Sequence, residues 1–163
     1  VGFWRAERTF QLMRQVAGRA GRSERPGLAL LQTFQPEHPV IRAILAGDEV
    51  GFWRAEADER RHAVVPPFGR MAGIILSGSD VAQVFDLGNA LARNAGALHA
   101  IGAEVYGPAP APIARVRGRH RVRLLVKADK SAPLQAALAQ WVGQFRLKGD
   151  LRLAVDIDPQ SFY

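Results

Sequence analysis

The sequence predicts an α+β protein whose second half is a ferredoxin-like β-α-β-β-α-β domain, and three observations carry that expectation. Pro66, Pro67 and Gly69 divide the chain near its middle, since proline ends a preceding helix and glycine adds a joint. Beyond that break, short apolar runs alternate with two stretches of helical period. The charge shifts there too. Residues 1–69 carry ten basic and eight acidic side chains, and residues 70–163 carry twelve and seven, so the second half is the more basic, +5 against +2.

Taken in order, the first half reads as a helix, a strand and two more helices. Thr9 to Ala20 places Phe10, Met13, Val16 and Ala17 on one helical face. The turn signal RSERPG follows, and then LALLQTF, residues 28–34, whose continuous apolar character suits a buried strand. HPVIRAIL and EVGFWRAEADERRHAV then read as helices, the second with its charges outward. In the second half MAGIILSG is a strand, and SDVAQVFDLGNALARNAGALH is a helix capped by Ser79 or Asp80. AEVYGPAPAPIARVRGRHRVRLLVKA reads as two strands around a proline-rich connection. SAPLQAALAQWVGQF is an amphipathic helix with Leu134, Leu138, Trp141, Val142 and Phe145 inward, and LRLAVDID closes the set as a strand.

A length of 163 residues suffices for one ordinary domain, or a small domain plus part of another. The hydrophobic fraction of 48% and charged fraction of 23% belong to a globular chain. The net charge is +7 and arginine dominates the basic residues, which favours an anionic partner, nucleic acid above all. Absence of cysteine excludes disulfides and cysteine-ligated zinc within this chain. No apolar run is long enough to span a bilayer, and the first ten residues lack a signal-peptide pattern, so a cytoplasmic protein without a membrane partner is expected. The heptapeptide VGFWRAE occurs at Val1–Glu7 and again at Val50–Glu56, while nothing around either copy repeats. The second copy fits smoothly into a charged helix, and Val1 to Arg5 are expected not to reflect the natural upstream sequence.

Two stretches carry chemistry. In QVAGRAGR, Gln15 to Arg22, the glycines Gly18 and Gly21 let a ligand approach the backbone closely. Arg19 and Arg22, one helical turn apart, can point the same way toward a phosphoryl group, with Gln15 placed to orient a water. The same residues equally suit a solvated helix end, and the pattern alone leaves both readings open. In IARVRGRHRVRLLVK, the basic residues Arg115, Arg117, Arg119, Arg121, Arg123 and Lys127 fall on odd positions, while Val116, Val122, Leu124 and Val126 fall on even ones. Alternation along extended strands would gather the basic set into one ribbon and turn the apolar set to the core, with Gly118 as a possible turn. Six basic residues in thirteen with no acidic one favour a DNA-binding surface over an ordinary solvated sheet face. His120 on this stretch reads as a polar surface residue.

Other residues carry less. Asp156 and Asp158 share a strand face, but a strand end ahead of Pro159 explains them better than a metal does. His38, His62, His99 and His120 have no ligand spacing, so no metal is expected. Trp53 and Trp141 fall on apolar helix faces and read as core or interface. Asp48, Glu49, Glu56, Asp58 and Glu59 read as helix decoration.

QVAGRAGR resembles motif VI of superfamily 2 helicases, the Q-x-x-G-R-x-G-R element. ERTFQL before it, QTFQPEHP after it, PPFGRMA, GPAPAPIARVRGRHRVRLLVKA and the final VDIDPQSF together resemble the C-terminal end of the primosomal protein N′ family of replication-restart DNA helicases. The resemblance runs from about Ala6 to the last residue. It implies an ATP-dependent helicase of 3′-to-5′ polarity that acts in DNA replication at stalled forks and helps assemble the primosome. Residues 1–36 would then be the end of a RecA-like second motor lobe, 37–69 a helical connector, and 70–163 the C-terminal DNA-binding domain. Arg19 and Arg22, with Gln15 beside them and Gly18 and Gly21 at the nucleotide, would reach ATP and Mg²⁺ held on the first lobe. The implied partners are forked or single-stranded DNA, single-stranded-DNA-binding protein and other primosome proteins. The family also holds zinc, through cysteines this chain lacks. There is no G-x-x-x-x-G-K-[ST] loop and no D-E-x-H box, so the chain by itself is not expected to hydrolyse ATP. A non-enzymatic module binding nucleic acid or protein through the same basic sheet is the alternative.

Overall fold

The computed structural model describes residues 3–19 and 30–159, and the chain divides into two compact units, Val1–His62 and Ala63–Tyr163.

The first unit is helical. Helices α1 (Phe3–Ala17), α2 (Pro39–Ala46) and α3 (Glu49–His62) meet around Phe10, Val40 and Phe52. The Phe10 and Phe52 rings stack 4.1 Å apart, and Trp53 stands edge-on to both. Local chemistry sets the helix ends. Nδ1 of His38 accepts the Val40 N–H, Pro39 supplies a first-turn residue that needs no partner, and Gly47 at φ +66° closes α2. The Asp48 carboxylate accepts the Gly51 N–H at 2.8 Å to start α3. Arg60 binds Glu56 at 2.8 Å and Glu7 at 2.9 Å, so the last residues of the two VGFWRAE copies converge on one guanidinium. Burial raises the Glu56 pKa above its usual 4.5, and Arg60 pulls it the other way.

Three expectations change here. Helix α1 starts earlier and stops at Ala17, where Gly18 N–H closes the last bond to the Arg14 carbonyl. Val16 is 65% exposed, because it lies about 120° around the helix from Phe10 and so off the packed face. Residues 30–34 of the expected strand 28–34 form no strand, with Leu30 and Phe34 fully open to solvent. An apolar run becomes a strand only beside another strand, and none of the described residues of this unit offers one. The stretch 20–29 lies outside the described residues.

The second unit realises the expected order. Strand β1 (Gly69–Gly78) leads to α4 (Val81–Arg93) and a one-turn α5 (Gly96–His99); β2 (Glu104–Val116), β3 (Arg119–Asp129), α6 (Leu134–Gly143) and β4 (Arg152–Ile157) follow. The four-stranded sheet has the order β2-β3-β1-β4 and is antiparallel throughout. Asp80, not Ser79, caps α4 by accepting the N–H groups of Ala82 and Gln83. The stretch expected as a single helix to His99 is interrupted at Asn94, whose side chain bonds the Ala90 carbonyl and ends α4. The prolines expected in a connection, Pro108, Pro110 and Pro112, lie inside β2, a strand at the sheet's edge. The turn is instead Arg117–Gly118, both at positive φ, the two-residue hairpin that matches strand twist.

The core lies between the sheet and one layer of helices. Val84 and Leu91 of α4, Leu98 of α5 and Trp141 of α6 pack wholly buried on Ile74, Leu76, Leu124 and Val126. Trp141 donates its indole N–H to the Leu91 carbonyl at 3.0 Å, joining α6 to α4. Gly88 lets α4 approach the proline strand, since a Cβ there would sit 2.8 Å from Cβ of Pro108 and 3.4 Å from Cδ1 of Leu76. Gly88→Ala is therefore expected to destabilise this unit by about 1–3 kcal/mol in urea unfolding, through overpacking, although alanine is the better helix former by about 1 kcal/mol. A stabilised variant would show that α4 can retreat.

Candidate nucleic-acid interface

The helices cover one face of the sheet and leave β3 to expose its other side. Val122, Leu124, Val126 and Ala128 face the helices and are buried, while Arg121, Arg123, Leu125 and Lys127 alternate with them on the opposite, open face. Register then gathers residues from distant parts of the chain. Ser77 pairs with Arg121 on one side and Arg152 on the other, and Ile75 likewise lies between Arg123 and Ala154. Arg121, Arg123 and Arg152 thus occupy adjacent rows of one face. Arg121 and Arg152 make no ion pair among the described residues. Arg152 escaped the sequence reading because it sits alone among apolar residues, and only pairing in the sheet brings it to the cluster.

The expected single ribbon of odd positions holds within β3 but not across the hairpin. The two-residue turn pairs Val116 with Arg119 and Arg115 with His120, so at the hairpin end odd positions on β2 fall opposite even ones on β3. Arg115 is therefore on the opposite side from Arg121, and Arg117 occupies the turn at φ +48°. Val116, expected in the core, pairs with Arg119 on the side away from the helices and is 38% exposed. Arg119 turns back into the fold, binding the Asp150 carboxylate at 2.9 Å and the Ser77 carbonyl at 3.1 Å. Lys127 lies on the open face, 3.9 Å from the Glu104 carboxylate across the strand pair.

The acidic and aromatic residues also have defined places. Asp158 accepts the Met71 N–H at 2.9 Å and binds Arg70 at 2.8 Å, a strand-end clasp between β4 and β1. Asp156 pairs with Gly73 on the open face. Tyr106, opposite Leu125, is 46% exposed and donates its hydroxyl to the Glu104 carboxylate.

In the first unit, Gln15 is exposed in the last turn of α1, and Gly18 and Arg19 follow in a turn. Arg19 follows the end of α1, and Gly21 and Arg22 lie outside the described residues. The end of α1 presents carbonyls, so the described residues there would meet an anion through side chains, Gln15 and Arg19 among them. They form no cradle of N–H groups for a nucleotide. A groove in the same unit is lined by Glu37, Asp48, Glu56 and Glu59 among others, a charge unsuited to phosphate.

A family model described as the primosomal protein N C-terminal domain matches residues 61–160, nearly the whole of the sheet unit. The chain belongs to this family. It is similar to replication restart protein PriA of Rickettsia felis, at 37% identity over 158 residues, which cover 97% of this chain and 24% of that protein. The PriA proteins of Treponema pallidum and Bacillus subtilis match at 33% and 31% identity, covering 96% of the chain and 24% and 20% of their own lengths. The chain thus spans less than a quarter of the length of these relatives. Residues 15–22 lie outside the span matched to the C-terminal domain family and inside the wider similarity to the relatives. No helix among the described residues is long and apolar enough to cross a membrane.

In this family member the basic rows are framed by a bracket at the sheet's end. Asp150, just before β4, accepts the Ser79 N–H at 2.9 Å and binds Arg119 at the start of β3. The Ser79 N–H, with help from Arg119, holds the Asp150 carboxyl below its usual 3.8. A depressed pKa stabilises the fold above the unfolded value and is lost as pH falls through the folded one. Asp150→Ala is therefore expected to lower the urea midpoint near neutral pH, with the difference from wild type vanishing well below pH 3.8. A pH-independent difference would contradict the bracket.

Proposed function

We propose that this chain is the C-terminal part of an ATP-dependent, 3′-to-5′ replication-restart DNA helicase, and that it holds DNA on the open face of its sheet. The carrying observation is the convergence of Arg121, Arg123 and Arg152 from two strands onto neighbouring rows. Guanidinium groups spaced along a surface neutralise successive phosphates and release their counterions, which gives sequence-tolerant, salt-sensitive binding. Lys127 adds positive charge further along β3, and Arg115 and Arg117 at the hairpin end can reach backbone passing the sheet's rim. Arg119 positions the hairpin in this reading and does not touch DNA. The relatives' name, replication restart protein, supports a place at stalled forks in the cytoplasm, with primosome proteins and single-stranded-DNA-binding protein as partners.

ATP and Mg²⁺ would be held by a different segment of polypeptide, as no phosphate loop occurs in these 163 residues. The part left to this chain is to present Gln15, Arg19 and Arg22 as charge for a nucleotide bound elsewhere. The chain contains no cysteine, so any zinc would likewise be bound elsewhere.

Arg121→Glu combined with Arg123→Glu is expected to weaken binding to forked DNA by about tenfold or more and to flatten the log–log salt slope by about two. Unchanged affinity, or affinity indifferent to salt, would remove the interface from this face. For the nucleotide role, Arg22→Ala in a protein that also carries a phosphate loop is expected to cut ATP-driven unwinding by about 10³-fold and spare DNA binding. Equal loss of DNA affinity and turnover would count against it.

A further inference from the structure

The open face is divided along its length in chemistry as well as in charge. At one end stand Arg121 and Arg152, with Arg123 in the next row. The following row contains Tyr106, Leu125, Gly73 and Asp156, one residue from each strand, and Glu104 lies beyond Tyr106 on β2. Gly73, between Leu125 and Asp156, is buried and contributes no side chain to this row. The Tyr106 ring is exposed, yet its hydroxyl is tied to Glu104, so the ring is held in place before any ligand arrives. That bond also raises the phenol's pKa above its usual 10.0.

We infer that this face takes a single strand of nucleic acid, with a base stacked on Tyr106 and the adjoining phosphates on Arg121, Arg123 and Arg152. This rests on the DNA-binding reading above and names the form of DNA that fits. A duplex carries phosphates on both flanks, and laid over this face it would press one backbone onto Glu104 and Asp156. A single strand separates its two chemistries, phosphates to one side and bases to the other, and the face sets its three arginines at one end beside the Tyr106–Leu125 row, with Lys127 beyond that row against Glu104. Bases have a π-face for the tyrosine, and amino groups that carboxylates such as Asp156 can accept. The step from Arg121 to Leu125 along β3 is about 13 Å, a distance an extended strand crosses in a few nucleotides. Stacking on an aromatic ring tolerates any base, so sequence preference should be weak.

The test uses the full chain with an oligothymidylate, a blunt duplex, and a single strand containing 2-aminopurine. Tyr106→Ala is expected to weaken single-strand binding by about tenfold, to leave duplex binding within about twofold, and to abolish the quenching of 2-aminopurine on binding. Tyr106→Phe keeps the ring and is expected to retain most of the affinity and the quenching. The inference is overturned if Tyr106→Ala weakens both forms of DNA equally or neither, or if Tyr106→Phe fails as badly as the alanine variant. The broader reading fails separately, and this inference with it, if the paired Arg121 and Arg123 substitutions leave every DNA bound as before.

Discussion

The indole of Trp141 is wholly buried, and its N–H has one acceptor, the Leu91 carbonyl. A buried donor left unmet would cost roughly 1–3 kcal/mol, so the bond specifies as well as stabilises. It fixes α6 beside α4 on the same side of the sheet, and the rest of the second unit follows. With both helices on one side, β3 alternates between a packed face and an open one. Everything the open face can do, from gathering arginines to displaying a tyrosine, depends on the helices being held together on the other side.

Much of this domain was legible in the sequence because strand alternation is a local property. Val122, Leu124 and Val126 announce which side of β3 is core, and Arg121, Arg123 and Lys127 follow by default. The limits are equally physical. Whether Arg115 joins Arg121 depends on the number of residues in the turn, since a two-residue turn exchanges odd and even positions between partner strands. Arg152 was invisible for a different reason: its neighbours are set by pairing with β1, far away in the sequence. Over residues 30–34 the expected strand does not form, because the apolar run, and Phe34 in particular, describes what a sheet would accept without supplying the sheet.

Two carboxylates show how environment overrides residue type. Glu56 and Asp150 are each bonded to an arginine, yet their proton affinities move in opposite directions. Burial dominates for Glu56, where lost hydration outweighs Arg60. Asp150 keeps its water and gains a backbone N–H besides, so its charged form is favoured. Counting ion pairs from sequence would have treated the two alike.

The prolines of β2 have a consequence for what the domain refuses. Pro108, Pro110 and Pro112 line an outer strand with residues that have no N–H to offer, so an extended segment of another molecule finds few donors for a new ladder there. At the opposite margin β4 is brief and carries Arg152 and Asp156. A sheet closed in this way along its margins resists growing sideways into fibres or swapped dimers. Its visitors must arrive from above, onto the surface that the helices left bare.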